Sequence, residues 1–314
     1  MALQDSHDEY TRRMHKVQEY IDAHLDEPLE LADLAQVAHF SAFHFHRLFS
    51  AWMGETLGDY LRRRRLEMAA VRLIGQPDDP VLNIALGVGF GSTEAFARAF
   101  KTRFGMTATE WRAQQAQQRA ERLSANSNPG QMDSNPDQAG SKPTAQHEAS
   151  LKPFTESLMQ VTIVERPTVH IAYMRHIGPY GQPIVDFWQQ VFAPWMATHH
   201  LMGEVRYGIS HDDPVVTAPE KCRYDACVEV PAGYQVPPPA MATTIPGGKY
   251  ACTRYVGNGS DIGARWEALL RDWLSASGMQ LDGRPFFEYY PKDAKYDPAT
   301  GVFECDLCIP VVAL

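Results

Sequence analysis

A chain of 314 residues, 44% of them apolar and 21% charged, is long enough for two or three domains with cores of their own and too apolar to be disordered. No apolar run reaches membrane-spanning length and Met1 to Tyr20 is polar, so neither a transmembrane span nor a signal peptide is expected, and the chain is read as cytoplasmic. The net charge of −9 argues against DNA binding by bulk charge, yet it is uneven: residues 1–123 carry 15 Lys/Arg against 17 Asp/Glu, and basic residues are in excess from Arg62 to Arg122.

Taken in chain order, Tyr10, Met14, Val17, Ile21 and Leu25 form a helical stripe that ends before Pro28. Leu31 to Tyr60 then reads as a short helix, a turn at His39 and Phe40, and a second helix capped by Ser41. On that second helix Phe45, Leu48, Phe49 and Trp52 face inward, and Phe43, His44, His46 and Arg47 face outward. Glu55 to Ile74 predicts a longer linking helix. Its run Arg62 to Arg65 points all round the axis, so two of the four are expected to reach phosphate and Arg65 to be held by an acidic neighbour. After the breaker GQPDDP the unit returns: Val81 to Val88 is a short apolar helix, Gly89 to Gly91 a turn, and Ser92 to Arg112 a second helix with its anchor.

The two units match at a constant offset of 51: Ser41, Phe45, Arg47, Phe49, Gly54, Thr56 and Tyr60 fall on Ser92, Phe96, Arg98, Phe100, Gly105, Thr107 and Trp111. Helix, turn and second helix with an outward arginine is helix-turn-helix logic, here stated twice. Arg47 and Arg98 can donate in a fork to guanine, Phe43 can meet a thymine methyl, and Glu94 can accept from cytosine. Lys101 and Arg103 are placed toward phosphate or solvent.

These residues, with Ile84-Ala85, Gly89-Phe90, Lys101 and the run FGMT at Phe104 to Thr107, resemble the signature of AraC/XylS-type transcription regulators over Tyr10 to Arg112. The resemblance implies an all-α domain with two DNA readers, base contacts at Phe43, His46 and Arg47, and double-stranded promoter DNA and RNA polymerase as partners. With Glu94 and Arg98 as base-contact candidates and Lys101 toward phosphate, these six are the residues assigned to DNA. Ala108 departs from the family's usual proline and is expected to loosen the start of the last helix.

Residues 1–123 are therefore read as the DNA-binding domain. Residues 124–157, rich in Ser, Asn, Pro, Gly and Gln, read as a flexible linker that lets the halves move independently.

From 158 to 314 the composition turns aromatic and β-branched, and a second duplication appears. Tyr173 to Gly178 matches Cys252 to Gly257 at offset 79, each copy leads into a Trp-containing helix (Ile184 to His199, Asp261 to Ser277), and Arg223 to Pro231 aligns with Val302 to Pro310 at the same offset. Two equal strand-helix-strand-strand halves predict a pseudo-symmetric sheet with both helices on one face, leaving the other face or the cleft between halves for a ligand. The whole chain is thus of the α+β class. The five cysteines lie in this half. Cys305 and Cys308 point to opposite faces of a strand, so small apolar packing is expected of them, and no metal or cofactor is implied.

This half resembles the GyrI-like effector-binding domains fused to AraC-type and MerR-type regulators, which implies a small-molecule effector. By that resemblance the acidic position facing cationic ligands is Glu288. Strand alternation adds Phe286 and Tyr290 to its face, and its first-half counterpart is Gly208, beside Tyr207, the fourth residue assigned to the pocket. Two alternatives stand beside effector sensing. One is a C-terminal protein-docking module, and the other a small-molecule hydrolase with Glu288 as base, which the absence of a triad, metal cluster or phosphate loop disfavours.

Overall fold

The computed structural model describes residues 2–126 and 159–313. The predicted linker lies outside the described residues except for its first three positions, which end a helix.

The N-terminal part is helical: α1 (Ala2–Ala23), α2 (Leu31–Val37), α3 (Ala42–Met53), α4 (Leu57–Gly75), α5 (Val81–Gly87), α6 (Thr93–Phe104) and α7 (Ala108–Asn126). The offset of 51 extends to the ends of the readers. Ser41 and Ser92 accept backbone N–H groups as N-caps, and Gly54 and Gly105 close α3 and α6 at φ 67° and 74°, where a side chain would be strained. Each helix-turn-helix unit has its own core, one around Phe45, Phe49 and Tyr60, the other around Phe96, Phe100 and Trp111, with α4 contributing to both. The Ala108 expectation is corrected. Thr107 and Glu110 form a reciprocal cap, Thr107 N–H donating to Glu110 Oε2 at 2.7 Å and Glu110 N–H to Thr107 Oγ1 at 3.2 Å, which fixes the start of α7 without proline.

The C-terminal part is one curled sheet bearing two interrupted helices. The strands are β1 (Val161–Arg166), β2 (Val169–Ile177), β3 (Arg206–Ser210), β4 (Arg223–Glu229), β5 (Met241–Ile245), β6 (Gly248–Gly257), β7 (Met279–Leu281), β8 (Phe287–Tyr290) and β9 (Phe303–Ala313). Their order, β1-β6-β9-β8-β3-β4-β2-β5 with β7 on β9, is symmetric about the β8–β3 seam, and each half lends its first strand to the other. The alternation places Met174, Tyr224, Ala226, Leu307 and Tyr290 on one face, under α8 (Gln182–Phe187), α9 (Ala193–Thr198), α10 (Ile262–Glu267) and α11 (Leu274–Ala276). A π-helical turn joins each pair, Trp188–Phe192 in the first and Ala268–Trp273 in the second. Tyr173, Tyr207, Cys227, Cys252, Phe287 and Cys308 form the core of the opposite face.

The two parts are docked, which corrects the expectation of independent halves. Asp212 and Arg223, at the end of the face opposite the sheet's helices, meet Asp22 of α1 and Arg64 of α4 in a closed set of ion pairs. Arg64 Nε lies 3.1 Å from Asp22, Arg223 Nη1 2.6 Å from Asp22 and Arg223 Nε 2.9 Å from Asp212, and Arg64 also pairs directly with Asp212. Lys221 reaches Glu55 at 3.0 Å, Tyr173 donates to Glu19, and Val216 joins the core of the second helix-turn-helix unit.

Candidate functional site

The reader helices present outward what the docked sheet leaves open. Phe43 is 68% exposed, and His46, Arg47, Glu94, Arg98 and Lys101 are all exposed. None of these six carries an ion pair among the described residues. Arg47 lies over its own helix neighbour Phe43, 6.0 Å from the ring centroid. Arg98 is the counterpart of Arg47 on α6, so two donor forks stand at equivalent places on two capped helices, the arrangement that guanine O6 and N7 accept.

The arginine run behaves otherwise than expected. Arg63 is held by Glu55 at 2.7 Å and Glu67 at 3.0 Å, Arg64 is buried in the interdomain set, and Arg65 donates to the carbonyls of Leu25 and Glu27, not to an acid. Arg62 alone of the four lies well exposed, with Asp59 at 3.4 Å. Arg103 likewise turns inward, to Glu67 and the Val216 carbonyl, instead of toward phosphate.

On the sheet, β3 and β8 run side by side at the seam with Gly208 directly opposite Glu288. The Glu288 carboxylate lies over the glycine, buried, and its Oε2 accepts the hydroxyls of Tyr224 and Tyr290, each at 2.8 Å. Trp188, at the π-turn of the first helix, donates its indole N–H to the Tyr224 hydroxyl at 3.1 Å and faces Tyr290 at 6.0 Å between ring centroids. Burial raises the Glu288 carboxyl above the ordinary range, and the two tyrosine hydroxyls offset this only in part. Among the described residues no cation forms an ion pair with it.

Of the four residues assigned to this pocket, Glu288, Phe286 and Tyr290 share the helix-bearing side, Phe286 stacking at 6.4 Å on Trp266. Tyr207 does not join them. Neighbours along a strand point to opposite faces, so with Gly208 under the carboxylate the Tyr207 ring lies on the far side, its hydroxyl donating to Glu229 at 3.0 Å. There it lines a cavity of about 140 Å³ with Arg166, Tyr250, Phe287 and Tyr289. The sequence reasoning missed Tyr224 and Trp188. Tyr224 stands two places before Ala226, the partner of Gly208 on β4, and only the ladder register shows that its hydroxyl reaches across the seam.

A pair of capped helix-turn-helix units with exposed second helices, followed by a duplicated sheet with a carboxylate buried at its seam, defines a DNA-binding regulator with a ligand-binding domain. Residues 34–114 match the family described as a helix-turn-helix domain, and residues 159–312 the one described as a GyrI-like small molecule binding domain. The chain is 32% identical over 156 residues to a DNA gyrase inhibitor of Cronobacter sakazakii, covering 49% of this chain and 97% of that relative. It is 37% identical over 93 residues to the regulatory protein SoxS of Escherichia coli, covering 30% of this chain and 86% of SoxS. A solved AraC-type transcriptional regulator from Chromobacterium violaceum aligns at 30% identity with a TM-score of 0.31, over 33% of this chain and 93% of that one. The chain belongs to the AraC-type helix-turn-helix transcription regulators and carries a GyrI-like small-molecule-binding domain behind its DNA-binding domain.

Proposed function

We propose that the regulator senses a small organic cation with an aromatic or apolar body, bound at Glu288 between the two interrupted helices, and reads promoter DNA with Phe43, His46 and Arg47 of α3 and Glu94, Arg98 and Lys101 of α6. The observation that carries the effector reading is the buried Glu288 carboxylate, met by two tyrosine hydroxyls and edged by Trp188. A buried charge without a counter-charge is costly, and a cation entering from the helix side would supply one while the aromatic rings bind its body by cation-π attraction. In this reading the chain acts by binding and not by turnover, and RNA polymerase is the partner that responds.

The test is the melting temperature of the full chain against cationic aromatics, their neutral isosteres and organic acids. A ligand at about a hundred times its dissociation constant adds about 2.7 kcal/mol. Stabilisation by cations alone, lost in Glu288→Gln, is the expected result. Equal stabilisation by the neutral isosteres, or its survival in Glu288→Gln, sinks the assignment.

A further inference from the structure

Cys252 and Cys308 are direct partners in the β6–β9 ladder, on the sheet face away from its helices, and their sulfurs lie 3.0 Å apart. Directly opposed residues in an antiparallel pair have Cα atoms about 4.5 to 5.5 Å apart, inside the range of about 4.4 to 6.8 Å that a disulfide spans. Closing this pair therefore needs a rotation of side chains and no movement of strands. The guanidinium of Arg166 stands over both sulfurs, its Nη2 3.9 Å from Cys252 and 3.7 Å from Cys308. It stacks on Tyr289 at 3.9 Å, and its Nε is buried without a hydrogen-bond partner. The same arginine lines the 140 Å³ cavity, so a small molecule that enters there meets the residue that stands over the thiols.

We propose that Cys252 and Cys308 form a reversible dithiol–disulfide site, oxidised by a hydroperoxide admitted through the Arg166 cavity. Cys252, beside the guanidinium, loses its proton and attacks the outer oxygen of the peroxide. The O–O bond breaks, the leaving alkoxide takes up a proton to become an alcohol, and Cys252 is left as a sulfenic acid. The Cys308 sulfur, giving up its own proton, then attacks the Cys252 sulfur and expels hydroxide, which leaves as water. The two thiols together lose two electrons and two protons, and the hydroperoxide becomes one alcohol and one water. The remaining cysteines are placed otherwise: Cys305 lies on the helix-bearing face, Cys227 sits on β4 across two intervening strands from β9, and Cys222 donates to the carbonyls of Thr217 and Ala218. The product would tie β6 to β9 at a residue paired with Phe287, the chain neighbour of Glu288.

The experiment uses the reduced full-length protein, treated with hydrogen peroxide or cumene hydroperoxide, alkylated, and weighed intact and after digestion. Two of the five thiols are expected to disappear with the loss of two hydrogens, and a cross-link to join the Cys252 and Cys308 peptides and open with dithiothreitol. Cys305→Ser should keep the cross-link, Cys308→Ser should leave a dimedone-reactive Cys252, and Arg166→Gln should slow oxidation by roughly tenfold. Five thiols surviving oxidation of the folded wild type overturn the proposal, and so does a cross-link to any other cysteine. The wild-type readout needs no variant to fold, and it is independent of whether a cation binds at Glu288.

Discussion

A Cβ built on Gly208 would stand 1.9 Å from the Tyr224 hydroxyl and 2.5 Å from Glu288 Oε2, closer than any side chain tolerates. The glycine is thus the space in which the carboxylate and its tyrosine meet. Gly208→Ala should push Tyr224 off Glu288, costing about 1 to 3 kcal/mol by overpacking and abolishing effector binding, as read by urea unfolding and ligand titration. Glu288 itself makes an opposite prediction for the empty protein. Its carboxyl is raised in the fold by burial, so the folded state holds the proton longer than the unfolded one, and stability falls as pH rises from the unfolded value through the folded one. Glu288→Gln should therefore melt higher than wild type at neutral pH and lose that advantage in acid. Cation binding to the wild type should strengthen with rising pH through the same window. A Glu288→Gln protein that melts lower at neutral pH would contradict the account. The face that Glu288 shares with Phe286 and Tyr290 was legible from alternation. Tyr224 was not, because a contact across a seam depends on which strands are neighbours, and the chain order does not state that.

At the scale of elements, the readers were the most legible part of the molecule, because their signals are local. Ser41 and Ser92 cap, Gly54 and Gly105 terminate, and the phenylalanine stripes face inward within single helices, so the offset of 51 carries structure as well as sequence. Strand register was less legible. The sequence aligned β4 with β9 at offset 79, but the ladders set Ala226 against Gly208 and Leu307 against Glu288, an offset of 81. A shift of two residues keeps every side chain on its face, so the hydrophobic pattern cannot reveal it. The exposed Arg98 belongs to the legible part, and its prediction is local too. Arg98→Ala should cost about 1 to 3 kcal/mol on a cognate site and little on random DNA, measured by fluorescence anisotropy at fixed salt. A loss equal on both would make Arg98 a phosphate contact.

At the scale of the whole molecule, one member of the arginine run, Arg64, serves to join the domains. Arg64 finds Asp212 148 positions away, a pairing that no local pattern announces. Burial alone would raise the Asp212 carboxyl; the guanidiniums of Arg223 and Arg64 overcome this and hold it well below the usual carboxylate range. Its contribution is accordingly full above the unfolded aspartate value of about 4 and lost in more acid solution. The strand beneath this contact has a second duty. On β4, Arg223 and Asp225 point to the interdomain side while Tyr224, between them, points to Glu288, so anything that moves Tyr224 acts on the backbone that positions Arg223. A ligand changes DNA affinity only if it binds one arrangement of the domains better than another, and β4 is where the two sites share a backbone. Asp212→Asn leaves the effector residues in place while removing the charge that holds two buried guanidiniums, at a cost of about 3 to 5 kcal/mol. In that variant the effector should still bind, seen by calorimetry, but the change it makes in affinity for a cognate site should vanish. An unaltered effector response would show that the signal leaves the sheet by another route than this interface.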